Sequence, residues 1–143
     1  MTDLRRATPR DLAEILADLP SYWGDRDVRH LHHPMFVREF GDTAFVSGDV
    51  DGYLFGFVAP AHIGYIHAVA VHRRRRGTGV GRHLHTAFAA AARARGATRL
   101  KAITGPANAE SIQFHERIGF KADLVTDYSG PGQDRVVLTR DLP

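Results

Sequence analysis

A chain of 143 residues, 43% hydrophobic and 24% charged, has the length and composition of one globular domain, expected to span residues 1–143. With no cysteine it excludes disulfides, a thiol nucleophile and cysteine-based zinc, and no apolar run nears the ~18 residues of a membrane span. The formal net charge of +3 rests almost wholly on arginine, since Lys101 and Lys121 are the only lysines, and it permits an anionic partner without demanding nucleic acid.

Residues 3–8, "DLRRAT", are expected as a short strand. Thr8 then caps a helix running to about Leu19, with Pro9 at its first position, Asp11 in its first turn and an apolar face of Leu12, Ile15, Leu16 and Leu19. Pro20 is expected to end it, and "SYWGDRDVRHLHHPMF" (21–36) reads as irregular, aromatic and rich in histidine. "TAFVSG" and "GYLFGFVA" flank the turn "DVDG" as a hairpin, and "GYIHAVAV" (64–71) is a third strand in succession. Val80, Leu84, Ala87, Phe88 and Ala91 repeat with helical period, which predicts a helix over 80–95 stopped by Gly96. "TRLKAIT" is a strand, "NAESIQFHERIGF" a helix ending at Gly119, and "RVVLT" (135–139) a last strand. The predicted order is β-α-β-β-β-α-β-α-β, an α/β fold with a mixed sheet, without repeats or linkers. The opening "MTDLRRATPRDL" carries no apolar leader, and with the absence of cysteine this makes a cytoplasmic location the expectation.

Between the third strand and the second long helix lies "RRRRGTGVG" (73–81). A helix N-terminus presents unpaired N–H groups and about half a positive charge, and glycines at 77, 79 and 81 let a backbone approach an oxyanion closely. This is the physical design of a pyrophosphate site. A solvated basic turn is the plainer alternative for Arg73, Arg74 and Arg75. No Gly-Lys-Ser/Thr follows, so a P-loop is excluded, and Gly-x-Gly-x-Gly is not the Rossmann spacing. Aromatic residues are not interleaved with the arginines, which speaks against single-stranded nucleic acid.

The run Arg76-Gly77-Thr78-Gly79-Val80-Gly81 resembles the Arg/Gln-x-x-Gly-x-Gly/Ala signature of the GNAT superfamily of N-acetyltransferases. A second signature, Asn followed by a helix ending Phe-Tyr-Glu-Lys/Arg-x-Gly-Phe, is similar to Asn108 and "FHERIGF" (114–120). The resemblance implies a GNAT-like acyl-CoA N-acyltransferase fold and direct acetyl transfer from acetyl-CoA to an amine. It implies that the backbone of Val69 and Val71 pairs with the pantetheine arm. The N–H groups of Gly77, Thr78, Gly79, Val80 and Gly81, with Arg76 at the rim, would hold the pyrophosphate, and Asn108 would bond the pantetheine chain. Asn108, Ser111 and His115 share one helix face.

His115 stands where the family commonly has the tyrosine that serves the leaving thiolate, so it is the expected proton donor, provided the site raises its pKa; otherwise it only orients the thiol. His67 is the expected base. "YIHAVAVHR" resembles the corresponding strand of the arylalkylamine acetyltransferases, and a period of two places His67 on one face with Tyr65, Val69 and Val71. No glutamate lies between Glu39 and Glu110 to serve instead. Nine histidines raise the alternative of a metal centre, but His83 and His85 point to different sides of a helix and no His-Glu-x-x-His occurs, so no metal is expected. A non-catalytic acyl-CoA-binding module is the second alternative. The acceptor is expected to be a primary amine of a small molecule, with protein or peptide amines as the alternative. Tyr22, Trp23, Asp25, Asp27, Tyr128 and Asp134 would build its side, acids and aromatics suiting a cationic or aromatic amine. No nucleic-acid or membrane partner is expected, and a homodimer is compatible with the chain.

Overall fold

The computed structural model describes residues 3–143. The elements are β1 (Leu4–Arg6), α1 (Pro9–Leu16), α2 (Pro20–Trp23), α3 (Met35–Arg38), β2 (Ala44–Ser47), β3 (Gly52–Ala59), β4 (Ile63–Val71), α4 (Val80–Ala94), β5 (Arg99–Thr104), α5 (Ala109–Arg117), β6 (Lys121–Val125) and β7 (Arg135–Asp141). The strands form one seven-stranded sheet in the order β1-β2-β3-β4-β5-β7-β6, antiparallel throughout except for the parallel β4–β5 pair.

Local chemistry explains most of these elements. Thr8 and Asp11 form a capping box at the start of α1, with Asp11 also gripping Arg5 at 2.7 Å, so orphan N–H groups of the first turn find acceptors. Such a cap contributes about 1 kcal/mol. Pro20 does not simply terminate this helix. The helix stops at Leu16 and Pro20 opens α2, because a proline, lacking an N–H, suits a first helical position. The sequence expectation also lacked β6. Its residues are mostly exposed and carry little alternation, and the strand exists because β7 offers it a ladder from Lys121–Thr139 to Val125–Arg135.

The sheet buries both faces. Against one lie α4 and α5, with Leu84, Phe88, Leu100 and Leu138 in the core; against the other lie α1 to α3, with Ile15, Phe36, Tyr53 and Phe55. Burial of each such side chain stabilises the fold by roughly 1.5–3 kcal/mol.

One irregularity positions the site. The β3–β4 ladder slips between Phe55 and Gly56, so Phe55 faces Ala68, Gly56 faces Ile66, and His67 has no partner opposite. Gly56 is required there: a Cβ would lie 2.5 Å from the Tyr65 carbonyl oxygen and 2.6 Å from the Phe88 ring. The bulge corrects the simple alternation expected for β4. Tyr65 packs on Phe57 and His67 on Phe36, on the α1–α3 face, whereas Val69 and Val71 pack against the core under α4. An extra residue reverses which face the later positions occupy.

Candidate active site

The cleft begins where β4 and β5 part. They pair only from Ile63–Arg99 to Ile66–Ala102; beyond this, β4 from His67 to Val71 has no neighbour on its β5 side. Parallel strands that diverge leave a wedge between two rows of backbone polar groups. Two cavities fill it, of about 340 Å³ and 740 Å³. They share Trp23, Arg26, Val69, Asn108, Ser111 and His115, so they form one continuous channel.

The larger cavity lies over the N-terminus of α4. Gly77 and Gly79 adopt φ of +77° and +87°, and a Cβ on either would meet nothing within 4 Å. These glycines therefore serve the backbone turn and leave the space above it clear. No side chain caps α4, a helix of fifteen residues, so its first N–H groups face that space without a side-chain acceptor. Gly81 has another reason: a Cβ there would sit 3.2 Å from the Phe114 ring, so it lets α4 and α5 approach.

The arginine run is mostly engaged within the protein. Arg74 and Arg75 reach the buried Asp51 carboxylate at 2.9 and 3.6 Å. Arg76 donates to the Tyr22 carbonyl at 2.9 Å, comes within 3.5 Å of the Val71 carbonyl, and lies 3.7 Å from Glu110. Asp51 was absent from the sequence expectations, since nothing local marks it as the anchor of a loop more than twenty residues away. Thr78 turns its hydroxyl back to the Arg75 carbonyl and does not line the channel, while Arg76, Gly77, Gly79, Val80 and Gly81 do.

Asn108 caps α5, accepting from the Ser111 N–H at 3.3 Å, and its amide donates to the Thr104 hydroxyl at 3.0 Å. One amide proton remains for a ligand. Ser111, half-buried, lines both cavities.

The two histidines expected to carry chemistry are held differently. Nε2 of His67 donates to the Leu31 carbonyl at 2.9 Å, which leaves the lone pair on Nδ1, and the ring stacks on Phe36 at 4.2 Å. Burial pushes its pKa down, opposed by the Leu31 hydrogen bond and reinforced by His30, which favours the neutral ring. His67 and Tyr65 wall the smaller cavity.

His115 is only 3% exposed. Its Nδ1 donates to the Ser111 carbonyl at 2.7 Å, leaving a buried Nε2 that bears a lone pair and no partner. The ring sits edge-on between His85 and Phe120, each at 5.0 Å. Burial lowers its pKa despite the Ser111 bond. The one N–H of the neutral ring already has an acceptor and burial disfavours the charged ring, and both weigh against the expected proton donor. His85 is deeper still, with neither ring nitrogen hydrogen-bonded and a pKa pushed down to about 3 by burial, then by His115 and Arg140.

The acceptor-side residues also divide. Trp23 donates to the Tyr53 hydroxyl at 2.6 Å, and that hydroxyl donates to Nε2 of His32 at 2.7 Å, whose Nδ1 donates to the Val28 carbonyl. This buried chain fixes the Trp23 ring against the channel. Tyr128 lines the smaller cavity, and Tyr22 the larger. Asp25, Asp27 and Asp134 line neither; Asp134 accepts the Asp127 N–H inside its own loop. In their place stand Arg26 and Arg135, which no local pattern singled out. Among the described residues no three His, Asp or Glu side chains gather as a metal site, and no helix is long and apolar enough to cross a membrane.

The fold, the forked strands and the glycine turn define an acyl-CoA-dependent transferase, and the model of the acetyltransferase (GNAT) family matches residues 8–120. The chain belongs to that family: it is an acetyltransferase, and its acyl donor is acetyl-CoA. Among solved structures it is similar to Ard1 from Thermoplasma volcanium, with 20% identity, TM-score 0.84, and 99% of this chain and 98% of that one covered. It is likewise similar to yncA from Salmonella typhimurium, solved with its cofactor acetyl-CoA, at 22% identity, TM-score 0.74 and coverage of 100% and 95%. The ribosomal-protein-S18-alanine N-acetyltransferase from Escherichia coli aligns at 17% identity, TM-score 0.75, with 99% and 94% covered. A search of the curated proteins gives no significant match.

Proposed function

We propose that this single domain transfers the acetyl group of acetyl-CoA directly to the primary amine of a small molecule, with His67 as the base. The observation that carries the reading is the small cavity at the fork, walled by His67 and Tyr65 and continuous with the open space over α4. The backbone of Gly77, Thr78, Gly79, Val80 and Gly81 holds the pyrophosphate, because the turn is open and the helix N-terminus lacks an acceptor. The unpaired edge of β4 at Val69 and Val71 binds the pantetheine amides as a further strand would, with the remaining Asn108 amide proton and Ser111 on the opposite wall. The cofactor supplies an activated thioester. His67 takes the amine proton on Nδ1, a role that a neutral, desolvated imidazole held by a carbonyl can fill. His115 supports the wall and takes no proton-transfer role.

Small size favours a small acceptor: about 340 Å³ lies near the lower end of ligand sites, and the acetyl end must enter it as well. The E. coli neighbour acetylates a ribosomal protein, so protein amines belong in the same trial. Acetyl-CoA is mixed with amines, amino acids and peptides, and free thiol is followed. Release that depends on a small amine is expected. Thermal stabilisation by CoA with no thiol released from any acceptor would instead identify a binding module.

A further inference from the structure

From the charge of the smaller cavity we infer that the acceptor is an amine carrying its own anion, a carboxylate or phosphonate on a skeleton of amino-acid size, held by Arg135 with Arg26. The inference rests on the acceptor end proposed above.

No Asp or Glu lines this cavity among the described residues, whereas Arg26, Arg135, His30 and His67 do. Among the described residues the two guanidinium groups have no carboxylate oxygen within 4.0 Å, whereas Arg74, Arg75 and Arg76 beside the cleft each have one. Arg26 lies over the Trp23 ring at 5.6 Å. Arg135 is half-buried and donates only to neutral oxygens, the Asp134 carbonyl at 2.7 Å and the Gln133 side chain at 3.2 Å. A half-buried guanidinium whose partners are all neutral keeps its charge uncompensated, and an incoming anion supplies the missing partner. Both donors are oriented before the ligand arrives, one by a ring face and one by two acceptors, and a planar fork suits a carboxylate or phosphonate.

The same field disfavours the competing acceptor. A cation such as a polyamine or an aminoglycoside would enter a site without one carboxylate and with two arginines, each like-charge approach raising its energy. An amino-acid-like amine resolves the conflict. Its anion meets the arginines, and its amino group is driven toward the neutral form that attacks a thioester.

The test separates binding from turnover. Calorimetry on the protein saturated with CoA measures affinity for the twenty amino acids, β-alanine and aminomethylphosphonate, each carboxylate compared with its amide and its decarboxylated amine. At least one anionic amine is expected to bind tenfold or more tightly than its uncharged-end partners. Arg135→Gln should bring that ratio near one while leaving CoA affinity unchanged, because Arg135 lines only the smaller cavity. Amides or decarboxylated amines binding as well as the anionic forms, no anionic amine binding, or a ratio that survives Arg135→Gln would overturn the inference. So would a peptide N-terminus binding more tightly than every free amino acid. Thiol release is followed in parallel. Selective anion binding without thiol release would refute the proposed catalysis and leave the anion site standing.

Discussion

The two halves of the channel are built from different material. The half over α4 is made of backbone: a fork between strands, a glycine turn and a helix end, with arginine side chains largely turned onto Asp51, Tyr22 and Glu110. The other half is made of side chains: Trp23, Tyr65, His67, Tyr128 and Arg135, brought from four separate stretches of chain. A backbone site tolerates most side-chain changes and fails only where a Cβ or a charge fills its space. A side-chain site fails one residue at a time.

The sharpest way to break this contrast is His67→Ala. It should lower kcat by 10²–10⁴-fold, the range of a lost proton-transfer group, while CoA affinity stays within twofold. The pH profile gives a second reading. Because burial holds His67 below the ordinary histidine value, wild-type kcat/KM should stay level as pH falls past 6.5 and drop only below that, and the variant should lack this acid limb. A variant that keeps the limb removes His67 from the mechanism.

Gly79→Asp probes the backbone half. It should weaken CoA by at least tenfold, about 1.4 kcal/mol. Asparagine tolerates a positive φ better than most residues, so Gly79→Asn separates strain from charge: it should cost markedly less than the aspartate. Equal losses in both variants would assign the effect to the turn alone and not to a bound anion.

The buried wall behind the channel should answer in stability before activity. His85 and His115 have folded-state pKa values below their unfolded ones, so below about pH 6.5 the unfolded chain binds more protons and stability falls as pH falls. For His85 this continues to about pH 3. The slope is roughly 1.4 kcal/mol per pH unit for each such group. Urea titrations from pH 7 to 4 should show it, and His85→Phe should flatten it; an unchanged slope would mean that His85 is charged in the folded protein.

The smallest effect is expected from His115→Phe. The ring lies among His85, Phe114 and Phe120, and its N–H goes to a helix carbonyl, so kcat should stay within about threefold of wild type. A loss of a hundredfold would restore His115 as the group that serves the sulfur.

Much of the fold was legible because its signals are local. Thr8 and Asp11 announce the start of α1, Asn108 the start of α5, and the spacing of Val80, Leu84 and Phe88 the buried face of α4. The glycine turn could be read for the same reason: a positive φ at Gly77 and Gly79 is a property of those residues themselves. β6 could not be read, since an exposed strand takes its conformation from the ladder that β7 offers.

What the sequence alone determined, then, is the glycine turn at the start of α4 and most of the strands and helices around it, because backbone conformation is set within a few residues. Tertiary structure decided the rest. The bulge at Gly56 moved His67 to a different face from Val69, a shift that depends on the register of β3 against β4. Burial of His115 among aromatic rings, visible only once α4, α5 and β7 are packed, is what weighs against its expected role as an acid. The charge lining the smaller cavity was decided in the same way. The acids that stood nearest in sequence, Asp25, Asp27 and Asp134, do not line the cavity, while Arg26 and Arg135, more than a hundred residues apart in the chain, both do. Side-chain orientation and long-range proximity are properties of the packed molecule, and no local pattern encodes them.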